Sequence, residues 1–179
     1  MKNLILLILL CAFQFGYSQT LYKTSKASVS FKSEAPLEII KAESPKLIGL
    51  INLEKSTFAF QVAPISFMGF NSELQREHFN ENYMESTKYP KIKFSGKILD
   101  KDISKPGIHK VRIKGSLNLH GVEKPYEINA LVTSSKDKIE ISSRFDVRLE
   151  DHNIKIPKIV DEKIAEQISC EVQGSLGPK

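Results

Sequence analysis

Between Lys110 and Val132 apolar and polar residues alternate with a period of two on both sides of a single break. Val111, Ile113, Gly115, Leu117 and Leu119 share one parity, and Arg112, Lys114, Ser116, Asn118 and His120 the other, as expected of a strand with one buried face. Gly121 permits a positive φ, while Pro125 lacks a backbone donor and biases Lys124 away from the helical region, so His120 to Pro125 is predicted to connect two strands. Tyr126, Ile128, Ala130 and Val132 then resume the alternation. A long amphipathic hairpin must have its apolar face covered, and the rest of the chain is predicted to do that with more strands.

The same period recurs elsewhere. Ala27, Val29 and Phe31 oppose Lys26, Ser28, Ser30 and Lys32; Ile48, Leu50 and Leu53 mark a less regular strand; Phe58, Phe60 and Val62 oppose Thr57, Ala59 and Gln61. Ile92, Phe94, Gly96 and Ile98 form another inward set, followed after the hairpin by Ile139, Ile141, Ser143, Phe145, Val147 and Leu149. Ile168, Cys170, Val172, Gly174 and Leu176 close the chain. About eight strands with polar connections predict an antiparallel sandwich or barrel. Two stretches break the period. Asn71 to Lys88 carries apolar residues at helical spacing among acids and amides, which predicts one or two short helical turns ended by Pro90. In Lys155 to Gln167, Val160 and Ile164 repeat at four with the following Ile168, which predicts a short amphipathic helix after Pro157.

Met1 to about Gln19 differs in kind: Lys2, an apolar run from Leu4 to Phe15, then Gly16 and Ser18 at small-residue positions. This is the pattern of a secretory signal peptide, residues 1–18, leaving one domain over 19–179 in the periplasm or outside the cell. The apolar run is short for a bilayer span, and Leu10 stands before Cys11 where a lipobox needs a small side chain. After processing only Cys170 remains, so no internal disulfide is expected and the thiol reads as a small buried hydrophobe. Loss of Lys2 takes the formal charge from +5 to +4. The lysines are spread singly along solvent parities without interleaved exposed aromatics, which argues against a nucleic-acid partner and leaves a weak attraction to a membrane surface.

Catalytic signals are sparse. His78, His109, His120 and His152 lack His-x-x-x-His or His-x-His spacing, and there is no Gly-x-Ser-x-Gly, phosphate loop or dinucleotide fingerprint. Asp151 and His152 are adjacent and so point to opposite faces if extended, and Glu77 beside His78 or Glu123 beside His120 could be assembled into an acid/base pair; the chain is not expected to be an enzyme or to carry a cofactor or metal. The inward parity is instead rich in large rings: Phe31, Phe58, Phe60, Phe94 and Phe145, with Phe67, Phe70 and Phe79 close by. An eight-stranded barrel is either packed solid or holds one small ligand, and strands of this length would enclose a tunnel on the order of 20 Å long. Periodicity alone leaves both open.

Two segments resemble a known family. GSLNLHGVEKP, Gly115 to Pro125, is similar to the Gly-x-Leu-x-Leu/Ile-x-Gly-Val-x-Lys-Pro segment of the YceI-like proteins, and KYPKIKF, Lys88 to Phe94, to their Lys-Tyr-Pro-x-Ile-x-Phe segment. HFNENYMEST stands where the family has a His-containing aromatic and acidic stretch. The resemblance covers essentially the whole processed chain and implies an all-β, eight-stranded, antiparallel, lipocalin-like barrel with one or two short helices. It also implies a secreted or periplasmic binding protein holding a polyisoprenoid, isoprenoid quinone or fatty-acid-like lipid; the alternative is a structural or partner-binding barrel with a filled core. Arg148 to Pro157, RLEDHNIKIP, replaces the family's Asn-Arg-x-x-Phe-Gly segment, and the first hairpin lacks its Gly-x-Phe pattern, so the shape of one tunnel end and the ligand's identity do not carry over. The ligand contacts expected are Phe31, Phe58, Phe60, Phe67, Phe79, Tyr83, Met84, Phe94, Ile113, Leu117, Leu119, Ile141 and Phe145, with Asn71 to Lys88 shielding the mouth. The expected partners are a long-chain isoprenoid or other lipid, a membrane surface in weak contact, and a second copy of the chain as a homodimer.

Overall fold

The alternating run around Gly121 forms the longest hairpin of the structure, a computed structural model that describes residues 21–99 and 102–179; the expected signal peptide and Cys11 lie outside them. Strand β6 (Gly107–Leu119) pairs with β7 (Val122–Ser134) from Leu119↔Val122 to Gly107↔Ser134. The turn is two residues: His120 has φ 52° and Gly121 φ 75°, both left-handed, as a hairpin that follows the strand twist requires. The predicted connection through Pro125 is therefore too long. Pro125 lies inside β7 opposite Ser116, at a point where β8 (Ile139–Arg148) has not yet begun to pair, so its missing N–H removes no bond to β8.

A side chain at Gly121 would be strained by its φ and would also meet the Tyr89 ring, 2.4 Å from an added Cβ. Gly121→Val is expected to destabilise the fold by about 1 to 3 kcal/mol; an unchanged melting temperature would contradict this turn.

The remaining strands are β1 (Leu21–Glu34), β2 (Ile39–Ser44), β3 (Ile48–Asn52), β4 (Thr57–Val62), β5 (Ile92–Leu99) and β9 (Gln167–Pro178). All neighbours are antiparallel in the order β2-β1-β3-β4-β5-β6-β7-β8-β9, and β9 returns to pair with β1, which closes the barrel. β2 and β3 lie end to end along one edge of β1 in a single continuous register, Val29↔Ser44 and Lys23↔Leu50, so nine segments make eight staves. Pro45 separates them because it cannot donate to the ladder.

The sequence reading missed β2 and set β3 out of phase. Only Ile40 and Ala42 are apolar on the inward face of β2, with Ser44 completing it, too few to register as a pattern. Around β3 both parities are apolar. Leu47 and Ile51 are buried, whereas Ile48 is 50% exposed. Gly49 decides the phase, since it faces inward beneath the Phe60 ring, where an added Cβ would lie 2.1 Å from Phe60 Cδ1.

Helix α1 (Glu73–His78) starts on Ser72, whose Oγ accepts from Gln75 N at 3.1 Å, and runs into a π turn, Phe79–Tyr83, in the stretch where short helical turns were predicted. The second predicted helix is not formed. Lys155 to Gln167 contains one 3₁₀ turn, Lys158–Val160, and is held by Leu149 N donating to Glu166 O, Leu37 N to Glu162 O and Ala165 N to Ser33 Oγ. Val160 and Ile164 face the barrel interior from this strap, and Ile168 already belongs to β9. A spacing of four arose there without a helix.

The core is uneven along the barrel. At the end away from the Gly121 turn, Tyr22, Ile51, Ile98, Ile103, Val111, Val132, Ile139 and Leu176 are buried against one another and form a floor. At the other end buried residues form two patches on opposite walls, one around Ala27, Ala42, Leu47, Val62 and Phe67, the other around Met84, Leu117, Leu119, Val147 and Ile154. The space between these patches is open.

Candidate functional site: an apolar cavity under an aromatic lid

Strand alternation places Phe31, Phe60, Phe94 and Phe145 inward, yet each is only half-buried. They border empty space. A chamber of about 510 Å³ lies at the turn end, walled by β1, β8 and β9 and covered by α1, the π turn and the 155–166 strap. Below it a second chamber of about 120 Å³ reaches Phe58, Ile98, Ile128 and Val132 just above the floor. Val29, Val62, Ile92, Leu117 and Phe145 line both and form the waist between them. From Leu119 to Ile113 the wall runs six residues, about 20 Å of strand at about 3.3 Å per residue.

Each residue expected from the sequence to contact a ligand borders one chamber or the other. Phe31, Phe67, Phe79, Tyr83, Met84 and Leu119 line the upper one; Phe58, Phe60, Phe94, Ile113 and Ile141 the lower; Leu117 and Phe145 both. The sequence reading left out Val29, Val62 and Ile92, although their parity was already visible, and Ile40, which belongs to the missed β2. It also left out Phe70, His78, Val160, Lys163 and Ile164, which lie outside the strands, where the period of two does not mark orientation.

The rings form two groups. Phe31 stacks on Phe79 at 5.4 Å and 18°, with Phe67 at 5.6 Å and Phe70 at 6.0 Å, so an aromatic cluster ties the lid to β1. Lower down, Phe58 meets Phe94 at 5.1 Å edge-on, and Phe94 meets Phe145 at 6.2 Å. These rings come close to the wall where Gly96 and Gly115 pair across β5 and β6: a Cβ on Gly115 would come within 2.9 Å of Phe94 and 3.1 Å of Phe58. Gly115 thus leaves the wall a hollow that the edges of Phe94 and Phe58 occupy.

The lid's far end is anchored by polar contacts. β7 and β8 part beyond Ala130↔Ser143, and His152, fully buried, fills the gap between them. Its Nδ1 donates to Val122 O at 3.2 Å and its Nε2 accepts from the Tyr126 hydroxyl at 3.2 Å, the pattern of a neutral ring. His120 Nδ1 donates to His152 O at 3.1 Å and Nε2 to Glu85 Oε2 at 2.7 Å, joining hairpin, strap and lid. The Glu123–His120 pairing does not hold: His120 meets Glu85 from the lid, while Glu123 accepts from Ser116 Oγ.

Burial pushes the His152 ring below its ordinary value of 6.5, outweighing the hydrogen bond to Val122 O. The unfolded chain therefore takes up a proton at a pH where the folded ring stays neutral. Stability is complete above about pH 6.5 and falls as the pH drops from there toward the folded value. A lower urea midpoint at about pH 5.5 than at about pH 7.5, with a smaller difference in His152→Gln, is the expected result; equal midpoints in the wild type would contradict it.

Burial likewise pushes the Cys170 thiol up to about 12, so it serves as apolar wall rather than as a nucleophile. Among the described residues no group of three or more His, Cys, Asp and Glu side chains could hold a metal ion, and no helix is long and apolar enough to cross a membrane.

Solved structures share this architecture at low identity. A polyisoprenoid binding domain from Saccharophagus degradans, implicated in plant cell wall breakdown, matches with a TM-score of 0.78 at 12% identity, over 88% of this chain and 98% of its own. BcnA of Burkholderia cenocepacia matches with 0.69 at 13% identity, over 83% and 95%. The Campylobacter jejuni YCEI protein matches with 0.58 at 16% identity, over 75% and 81%. At these identities the likeness establishes the fold. No curated protein sequence matches the chain. A sequence profile of the YceI-like domain matches residues 14–176, nearly the full length, and the closed barrel agrees with it: the chain belongs to the YceI-like family.

Proposed function

We propose that this protein binds one long-chain hydrophobic ligand in the barrel, a polyisoprenoid, an isoprenoid quinone or a fatty-acid-like lipid, and carries it in the periplasm or outside the cell after residues 1–18 are removed. The observation that carries the reading is the pair of apolar chambers that follow one another from the lid to the floor, share a waist of five residues and are bordered by half-buried aromatic rings. A filled structural barrel would put side chains there, because interiors close-pack wherever they can. The polyisoprenoid-binding description of the Saccharophagus degradans domain supports the ligand class. Asn71 to Lys88 is the segment that admits the ligand, since it covers the upper chamber and its core contacts come from few residues.

Truncation of wall rings separates the two readings. If Phe94 or Phe145 supported a solid core, replacement by Ala would cost about 3 to 5 kcal/mol. In a ligand cavity each ring already borders space, so the apo fold is expected to lose less, about 1 to 2 kcal/mol. Affinity for a long-chain fluorescent lipid is expected to fall about tenfold per ring, since about 50 Å² of lost contact at about 25 cal/mol per Å² is about 1.3 kcal/mol. A full core-sized stability loss, with no lipid binding by the wild type, would leave the structural barrel.

A further inference from the structure

The cavity is asymmetric in charge. The lower chamber has no ionisable wall; its polar side chains are Gln61 and Ser143, and Ser143 Oγ is engaged with Asn129 O at 2.7 Å. Every Glu, His and Lys side chain on the lining, Glu38, His78 and Lys163, belongs to the upper chamber, where α1, the β1–β2 turn and the strap meet. A bound amphiphile therefore enters tail first, because burying a polar head on the apolar floor would cost several kcal/mol without a compensating bond.

The polar groups of this rim are not equivalent. Glu38 Oε1 accepts from Gln75 Nε2 at 3.0 Å and from Asn71 Nδ2 at 3.2 Å, Gln75 Oε1 accepts from Asn71 N, Ser72 Oγ caps α1, and Ser33 Oγ accepts from Ala165 N. Glu38 Oε1, Gln75 Oε1, Ser72 Oγ and Ser33 Oγ are thus engaged by the protein's own donors. Of the ionisable side chains of this rim His78, Tyr83 and Lys163 are left: among the described residues none of the three has a hydrogen-bond or ion-pair partner, and all border the chamber. Each is a donor. Burial pushes the Tyr83 hydroxyl up, which keeps its proton in place.

A rim whose carboxylate already accepts from two side-chain amides and whose unspent ionisable groups are a lysine, a histidine and a phenol fits an acceptor-rich, negatively charged head. Resting on the lipid-binding reading above, we infer that the ligand is a single-chain amphiphile with an anionic head, a carboxylate or a phosphate, held at the mouth by His78, Tyr83 and Lys163. The tail passes the Val29–Phe145 waist into the lower chamber. An uncharged alcohol head would use one of these donors and leave Lys163 unanswered.

Three probes with one tail test it: hexadecanoate, hexadecyl phosphate and hexadecan-1-ol, each displacing a long-chain fluorescent lipid from the detergent-free protein. The rim is exposed, so the electrostatic gain is modest: an anion is expected to bind about fivefold tighter than the alcohol. Lys163→Gln and His78→Gln, both outside the core, are each expected to cut that advantage about twofold. A preference for hexadecanoate alone assigns a carboxylate head, for hexadecyl phosphate alone a phosphate head. Equal affinity for all three would overturn the anionic head and leave the tail-binding reading standing. Failure of all three to displace the fluorescent lipid would overturn the carrier reading itself.

Discussion

Val29→Trp is expected to remove long-chain binding while leaving the apo barrel about as stable as the wild type. Val29 lies at the waist shared by both chambers, half-buried beside empty space, with Ser44 and Val172 as its register partners. An indole there has room that a solid core would deny it, so the usual overpacking penalty of about 1 to 3 kcal/mol is largely avoided. It closes the passage to the lower chamber. A tail stopped at the waist loses about 100 Å² of apolar contact, which at about 25 cal/mol per Å² is about 2.5 kcal/mol, or nearly two orders of magnitude in affinity. An octyl-chain probe, short enough to stay above the waist, is expected to bind the variant and the wild type alike. Unchanged affinity for both chain lengths would show that ligand does not pass Val29.

The second large effect is on folding. Gly96 faces Gly115 across β5 and β6, and a Cβ at Gly96 would lie 2.1 Å from Lys114 O and 2.4 Å from Gly115 Cα. Both are backbone atoms of a strand paired on its other side with β7, so neither can move without disturbing two ladders. Gly96→Val is expected to cost about 3 to 4 kcal/mol, a fall of about 10 °C in melting temperature for a domain of this size. The contrast with Val29→Trp is informative: a large ring is tolerated where the wall borders space, and an isopropyl group is not tolerated where the strands touch. A small change in melting temperature for Gly96→Val would mean that β5 and β6 are farther apart than described.

Much of the barrel could be read from alternation because most strands have one polar and one apolar face. The β6–β7 hairpin, β4, β5, β8 and β9 all present inward the residues their parity assigns. Alternation fails where it carries no contrast. Ile39 and Ile40 are adjacent in β2, and Leu47, Ile48, Leu50 and Ile51 occupy both parities around β3, so the phase there depends on Pro45 and on the Phe60 ring over Gly49. The spacing of Val160, Ile164 and Ile168 imitated a helix because a strap crossing the cavity also presents an apolar residue at intervals.

The candidate site divides in the same way. Rings on inward parities could be named from the sequence, but whether they fill the bore or border it depends on the Gly96–Gly115 hollow and on the distance between opposite walls, which no local pattern encodes. His78 and Lys163 lie in a helix and a strap where exposure is the ordinary expectation, and only closure of the barrel brings both to one mouth. Glu85 and His120 are 35 residues apart in sequence, so their contact is likewise a product of the fold.

The central claim is that the bore holds a lipid, and native mass spectrometry of the protein purified without detergent tests it most directly. The expected result is a second species heavier by one lipid, at one per chain, absent from Val29→Trp purified in parallel. A single species at the mass of the chain alone, from protein that also fails to take up an added long-chain fluorescent lipid, would contradict the account and identify the barrel as a structural one.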